Sequence, residues 1–322
     1  MRAFILLVGL AFGSMGPSQA QTFPVKPIRL VIGTGPTSAP DVLARILQPK
    51  LQELWPSGVF IENKPCVIGL LATQDVVRAN PDGYSVLFGG LAAIAIAPHL
   101  SRKYPYDLRK DLVPVAQLAG NDAFLTVSTE KNPAKTFAEF IEWGKTQPKV
   151  FVGDLGAGSY AHFITQIFGR QAGVPVEPIH YKGTADVLHD LLAGQVHGGF
   201  LSIGIVASQV KSGRLRILGS TAPTRQAVMP DIPTFAELGF PDLVGGVWWG
   251  IFVPAGTPQQ VINTLHEGFN QVIKLPELQD KLQAAGFRVS PGISRSAFVE
   301  FVASETDKWG KIVAQSGFKE TE

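Results

Sequence analysis

Apolar positions recur along this chain with two periods, and the two alternate. IRLVIG (28–33) is a short β-forming run; after it Leu43, Leu47, Leu51 and Leu54 stand four, four and three apart, the stripe of an amphipathic helix over 41–55. Asp41 is placed to cap that helix, and Pro49 within it predicts a kink, because proline removes a backbone donor and crowds the preceding turn. VFIEN (59–63) predicts a second strand, helical text runs on to Arg78, Pro81-Asp82-Gly83 marks a turn, and YSVLFGG (84–90) predicts a third strand. The rhythm resumes with FLTVS (124–128), a helix over 136–146, KVFVGD (149–154), a helix over 160–172, VPVEPIHY (174–181), a helix over 184–194 and RLRILGST (214–221). Strands that alternate with helices predict parallel sheets joined by right-handed crossovers. These units are too many for one sheet, and the polar break at Gly120-Asn121-Asp122 predicts a second domain beginning there. At GGVWWGIFVPAGTP (245–258) the text becomes one long apolar β-rich run, able to carry the chain back to the first domain, and helices over 258–273, 276–285 and 294–315 close the chain.

Composition narrows the class. With 322 residues, 45% hydrophobic and 17% charged, the chain can bury a sizeable core in two domains, which excludes a disordered or collagenous protein. The net charge is +2, from 28 Lys+Arg against 26 Asp+Glu, and no basic run is longer than a pair such as Arg109-Lys110. That leaves no footprint for nucleic acid, so the expected partner is a small molecule. One cysteine, Cys66, provides neither an intrachain disulfide nor a cysteine zinc site. Arg2, the apolar stretch AFILLVGLAFG (3–13) and the small-residue site Ser18-Gln19-Ala20 fall in the order of a secretory signal peptide over 1–20. No cysteine at that site supports a lipid anchor, and no other segment is apolar for long enough to span a membrane.

Candidate chemistry begins at Gly33-Thr34-Gly35, which follows a strand and precedes a helix as a dinucleotide fingerprint does. Ser38 stands where the third glycine belongs, and Pro36 and Pro40 stiffen the loop, so no nucleotide cofactor is expected. What survives is a loop at a helix N-terminus, where unpaired N–H groups hold anions. VGDLGAGSYAHF (152–163) is a second such loop, with Gly156, Gly158 and Ser159 ahead of a helix. Neither Ser159 nor Ser202 lies in a nucleophile elbow, and the six histidines form no metal-binding pair, so neither a catalytic triad nor a metal site is expected. Trp248 and Trp249, adjacent on a strand, should point to opposite faces, one of them toward a ligand.

The segments FPVKPIRLVIG (23–33), PDVLAR (40–45), IENKP (61–65), NPDGYSVLFG (80–89), YPYDLRKDLVPVAQLA (104–119), HYKGTADVLHDLLAGQV (180–196), SGRLRILGSTAPTR (212–225), MPDIPTFAELGFP (229–241) and WWGIFVPAGTP (248–258), in this order, resemble the Bug family, the substrate-binding proteins of tripartite tricarboxylate transporters. The resemblance spans the chain after residue 22. It implies a type II periplasmic binding protein, α/β in class, with one lobe over 22–119 plus 245–322, the other over 120–244, and a ligand cleft between them. It implies a monomeric periplasmic receptor that closes on a small carboxylate and delivers it to a membrane permease; a sensor feeding a signalling partner and an enzyme using the same cleft are the alternatives.

On this resemblance Asp41 ends the first ligand loop, Gly156, Gly158, Ser159 and His162 form the second, and Tyr181 and Ser202 edge the cleft; of the tryptophan pair, Trp248 is expected to be the one that walls the ligand. The departures are Thr37-Ser38 for a glycine pair, Pro65-Cys66-Val67-Ile68-Gly69-Leu70 for a Pro-Gly-Ala-Gly-Gly-Asn loop, Gly89-Gly90-Leu91-Ala92-Ala93-Ile94 for a polar segment, and Asp154 for a small residue. Donors have given way to Leu70, Leu91 and Ala92, and Asp154 adds negative charge near the second loop. The ligand expected from these changes carries one carboxylate and a substantial apolar body.

Overall fold

The computed structural model describes residues 23–65, 67–101, 105–226 and 228–318; the predicted signal peptide and Cys66 lie outside them. The chain opens with β1 (Ile28–Ile32), α1 (Ala39–Leu54), β2 (Val59–Asn63), α2 (Leu70–Val77) and β3 (Ser85–Gly90). A π-helical turn at Ala92–Ile96 and a 3-10 turn at Ala97–His99 precede α3 (Leu108–Asp111) and β4 (Leu112–Asn121). Next come β5 (Ala123–Ser128), α4 (Phe137–Lys145), β6 (Val150–Asp154), α5 (Tyr160–Ala172) and β7 (Val176–His180). They are followed by α6 (Thr184–Ala193), β8 (Gly198–Ser202), α7 (Ile203–Lys211) and β9 (Leu215–Ser220). The chain closes with β10 (Val247–Pro254), α8 (Gln259–Ile273), α9 (Pro276–Ala284), β11 (Arg288–Val289) and α10 (Arg295–Ser316).

Two sheets result, ordered β11-β4-β10-β3-β1-β2 and β7-β6-β8-β5-β9. Strands that alternate with helices are parallel, as expected: β1 with β2 and β3, and β6 with β7 and β8. The expectation of wholly parallel sheets fails at β10 and β5, each antiparallel to both its neighbours. Both strands enter their sheet from the other one, so they arrive at the opposite end. β4 runs into β5 with only Asp122 between them, and β10 returns beside that crossing, Val247 pairing with Asn121. Thr221 N–H donates to Ala123 O (2.9 Å) and Gly245 N–H to Thr221 O (2.7 Å), so the crossing segments lie together.

Helices cover both faces of each sheet. In the first lobe Leu43, Leu47 and Leu51 of the sequence-predicted stripe pack with Leu265 and Phe269 of α8, while Trp248, Phe298 and Trp309 fill the opposite face. In the second, Phe137, Phe140 and Phe168 lie on one face and Val187, Leu191 and Val206 on the other. Truncating a buried leucine of this kind costs about 2–5 kcal/mol, which is why the stripe dictates the helix.

α1 begins earlier than expected. Ser38, extended at φ −67°, is its N-cap in place of Asp41, and the helix runs on through Pro49 to Leu54.

A ligand cleft between the lobes

A cavity of about 440 Å³ opens between the sheets where the carboxyl ends of β1, β3, β6 and β8 face each other. This is where open α/β sheets bind ligands, because helix N-termini converge there. The starts of α1 (Ser38, Ala39), α5 (Ser159, Tyr160) and α6 (Thr184) line it, as does Ser202, the N-cap of α7. Ile32, Ile68, Leu91, Phe200 and Trp249 make most of its wall apolar. Among the described residues no Arg, Lys or His lines it, and its one lining carboxylate is Asp122. That carboxylate is already taken by Arg288 (Nε to Oδ2 3.0 Å, Nη2 to Oδ1 3.1 Å) and by Gln226 Nε2 (2.6 Å).

The first loop is held from behind. Asp41 accepts from Thr37 N–H (2.9 Å), Arg45 Nε (2.9 Å) and Asn63 Nδ2 (2.9 Å), and Asn63 also donates to Thr34 O (3.0 Å). Burial disfavours the Asp41 charge, yet the bonds from Arg45, Asn63 and Thr37 outweigh it and hold the carboxyl below its ordinary range. Two β-branched residues are in the left-handed region, Thr37 (φ 66°) behind the first loop and Ile68 (φ 57°) on the cavity wall. Both stand where the family resemblance sets a glycine, so the glycine backbone persists under side chains that strain it by about 1–3 kcal/mol each.

The second loop has turned its donors inward. Gly156 N–H donates to Asp154 Oδ1 (2.8 Å), and Gly158 N–H donates to His162 Nδ1 (2.9 Å). His180 Nδ1 also reaches Asp154 Oδ1 (2.6 Å). Burial of Asp154 raises its pKa in spite of the bonds from His180 and Gly156, and burial lowers that of His162. Since Nδ1 of His162 accepts, the proton of the neutral ring is on Nε2, 2.9 Å from Gln166 Nε2. Gln166 Oε1 has no partner, so turning that amide over supplies the missing acceptor.

Of the residues singled out in the sequence, Ser38, Leu91, Ala92, Ser159 and Ser202 line the cavity. Thr37 and Asp41 lie behind the first loop, and Asp154, Gly156, Gly158 and His162 form the closed cluster behind the second. Leu70 gives way to Ile68 and Gly69 on the wall. Tyr181 Oη donates to Asp190 Oδ2 (2.8 Å), away from the cleft. Trp248 must be corrected: it is 2% exposed and donates Nε1–H to Glu305 Oε2 (3.0 Å), while strand alternation turns Trp249 to the cavity. Thr184, Asn121 and Phe200 were not singled out. Phe200 was accessible through the same alternation, two residues before Ser202 on one strand; Thr184 sits within the quoted GTADV text; Asn121 read only as a domain break.

Residues 43–318 match the family described as the tripartite tricarboxylate transporter family receptor. This chain belongs to that family. Protein BugT of Bordetella pertussis is 28% identical over 327 residues, covering 99% of each chain. Among solved structures, the periplasmic binding protein BugD is 25% identical with a TM-score of 0.79, covering 93% of this chain and all of that one. R. palustris Rpa4515 with adipate is 26% identical with a TM-score of 0.81, covering 92% and 98%. The architecture of the Bug-family chain is therefore that of a type II periplasmic binding protein, two α/β lobes with the ligand cleft between them. No helix among its described residues is long and apolar enough to cross a membrane.

Proposed function

We propose that this Bug-family receptor works in the periplasm, captures a small organic acid in the cleft without turning it over, and delivers it to a membrane permease. The observation that carries the reading is the cavity itself: four helix N-termini meet at a cleft with no cationic side chain among the described residues, an arrangement that holds a carboxylate by dipoles, N–H groups and hydroxyls. The adipate-bound relative supports a carboxylate as cargo. The lobes that close on it are residues 22–119 with 245–322, and residues 120–244, acting within one monomer.

Thermal unfolding of ligand-stripped protein against a panel of carboxylic acids tests this. A ligand at 100 times its Kd adds about 2.7 kcal/mol of stability, an increase of several degrees in Tm. If sugars, amines or inorganic anions raised the Tm and no carboxylic acid did, the reading would be wrong.

A further inference from the structure

The serine and threonine hydroxyls that line the cavity divide into two groups by where their protons go, while the phenol of Tyr160, also on the wall, donates to Gly245 O. On the first lobe Ser38 donates to Gly35 O (2.7 Å) and lies 2.6 Å from Thr34 Oγ1, and Thr73 donates to Gly69 O (3.0 Å). With Ser38 as donor to Gly35, Thr34 donates to Ser38, so all three protons are consumed within the lobe. On the second lobe Ser159 accepts from His162 N–H (3.2 Å), which leaves its own proton to donate elsewhere. Ser202 and Thr184 make no side-chain hydrogen bond among the described residues.

These three free donors lie on one sheet edge. Ser159 and Thr184 follow β6 and β7, Ser202 ends β8, and Asn121 precedes β5, whose reversed direction brings its start to that same edge. Strands β7, β6, β8 and β5 are consecutive neighbours. The buried Asn121 Oδ1 has no hydrogen-bond partner, and the residue lines the cavity. Its Nδ2 carries no hydrogen bond among the described residues and is not closed off, so as it stands the amide can offer N–H to that space. The apolar wall comes chiefly from the first lobe: Ile32, Ile68, Leu87, Leu91 and Trp249.

We infer that the cleft takes a monocarboxylic acid with an aromatic or aliphatic body, its carboxylate on the second lobe against Ser159, Ser202 and Asn121 with Thr184 beside them, and its body against Trp249 and Leu91. This rests on the carboxylate reading above and adds the class and the direction of the ligand. A second carboxylate would have to sit on the first lobe, where the start of α1 offers its dipole and backbone but no side-chain cation and no free hydroxyl proton adds to them, and where the rest of the wall is apolar. The closed cluster of Asp154 and His162 explains why the second loop meets the anion through the Ser159 hydroxyl alone: its Gly156 and Gly158 N–H groups already serve the chain's own groups.

Calorimetric titration of the wild-type protein with benzoate, phenylacetate and hexanoate, against adipate, malate and citrate, tests the class. At least one monocarboxylate should bind at least tenfold more tightly than every di- and tricarboxylate. Tighter binding of adipate, malate or citrate would overturn the class and leave the carboxylate receptor standing, whereas no binding by any of the six would overturn both. Ser202→Ala and Thr184→Val should each weaken the best monocarboxylate several-fold, with Thr184→Ser restoring it, while unliganded unfolding curves stay within a few degrees of wild type. Wild-type affinity in both of the first two variants would overturn the placement. If either variant unfolds, loss of monocarboxylate preference in Trp249→Ala decides for the apolar wall, and retention decides against it.

Discussion

His162 can enter the folded protein only uncharged, because its Nδ1 accepts from the Gly158 N–H and a proton there would oppose that donor. Burial accordingly lowers its pKa from the ordinary 6.5. Below that value the unfolded chain binds the proton and the folded one resists it, so stability falls as the pH drops from about 6.5 toward the folded value, by at most about 1.4 kcal/mol per pH unit. Asp154 acts in the opposite sense: raised above 3.8, it is protonated more readily in the folded state, and its contribution is lost as the pH rises through that window. Comparing the Tm of wild type and His162→Gln at pH 7.5 and 5.5 isolates the histidine, and wild type should lose about 2–4 °C more than the variant. Equal losses would remove His162 from the account. The family resemblance offered His162 and Asp154 as ligand contacts because it shows which residues share a loop, and it cannot show that two N–H groups of that loop turn back onto their own neighbours. Ser159 was legible as a cleft residue because a glycine-bearing loop ahead of a helix start fixes where a cap residue faces, whereas Ser202 came from the family resemblance alone.

At the scale of elements, the first loop depends on a close approach of two backbones. A Cβ on Gly33 would lie 2.5 Å from Gly69 Cα, so Gly33→Ala must push the start of α2 away from β1. Such overpacking costs about 1–3 kcal/mol, and it should lower the urea midpoint and weaken acid binding together; lost stability with intact binding would show that the cavity wall tolerates the shift. Gly158 is constrained differently: its φ of 82° and the contact of an added Cβ with Leu100 Cδ1 at 3.0 Å mean that Gly158→Val strains the loop itself, whether or not a ligand touches it. Most elements were legible, α5 to the residue, because their apolar stripes face sheets. β4 and β8 were not. LVPVAQLAGN carries Pro114, which reads against a strand, and the pairing of β10 with β4 absorbs it by a register shift between Ile251 and Phe252, where Phe252 meets Pro114. GGFLS begins with two glycines that packing, and no local propensity, commits to a strand between β6 and β5.

For the whole molecule, the two lobes meet at Asp122, which Arg288 grips from β11 while Lys308 Nζ of α10 donates to Val244 O (3.2 Å). Trp309 of α10 also packs against Tyr160 and Phe163 of α5, with centroids at 5.7 and 6.0 Å. These contacts join the lobes next to the cavity, whose wall includes Asp122 and Tyr160 themselves. A ligand that touches both lobes stabilises the closed state by its differential contacts alone. Small-angle scattering should therefore show a smaller radius of gyration at saturation with a tight monocarboxylate, and an unchanged radius would count against closure. The two-lobe organisation was readable from the polar break at 120–122 and the apolar return near 245, but the reversed direction of β5 and β10 was not, since it follows from which sheet the chain arrives from.

Trp249 gives this geometry a practical consequence. Of the five tryptophans it is the one that lines the cavity, while Trp248 and Trp309 are buried with their N–H groups held by Glu305. An indole on the wall loses water when the cleft fills, and its emission moves to shorter wavelength while the sheltered indoles hold steady. The protein is thus its own unlabelled fluorescent indicator, and an ultraviolet cuvette reads how full the cleft is.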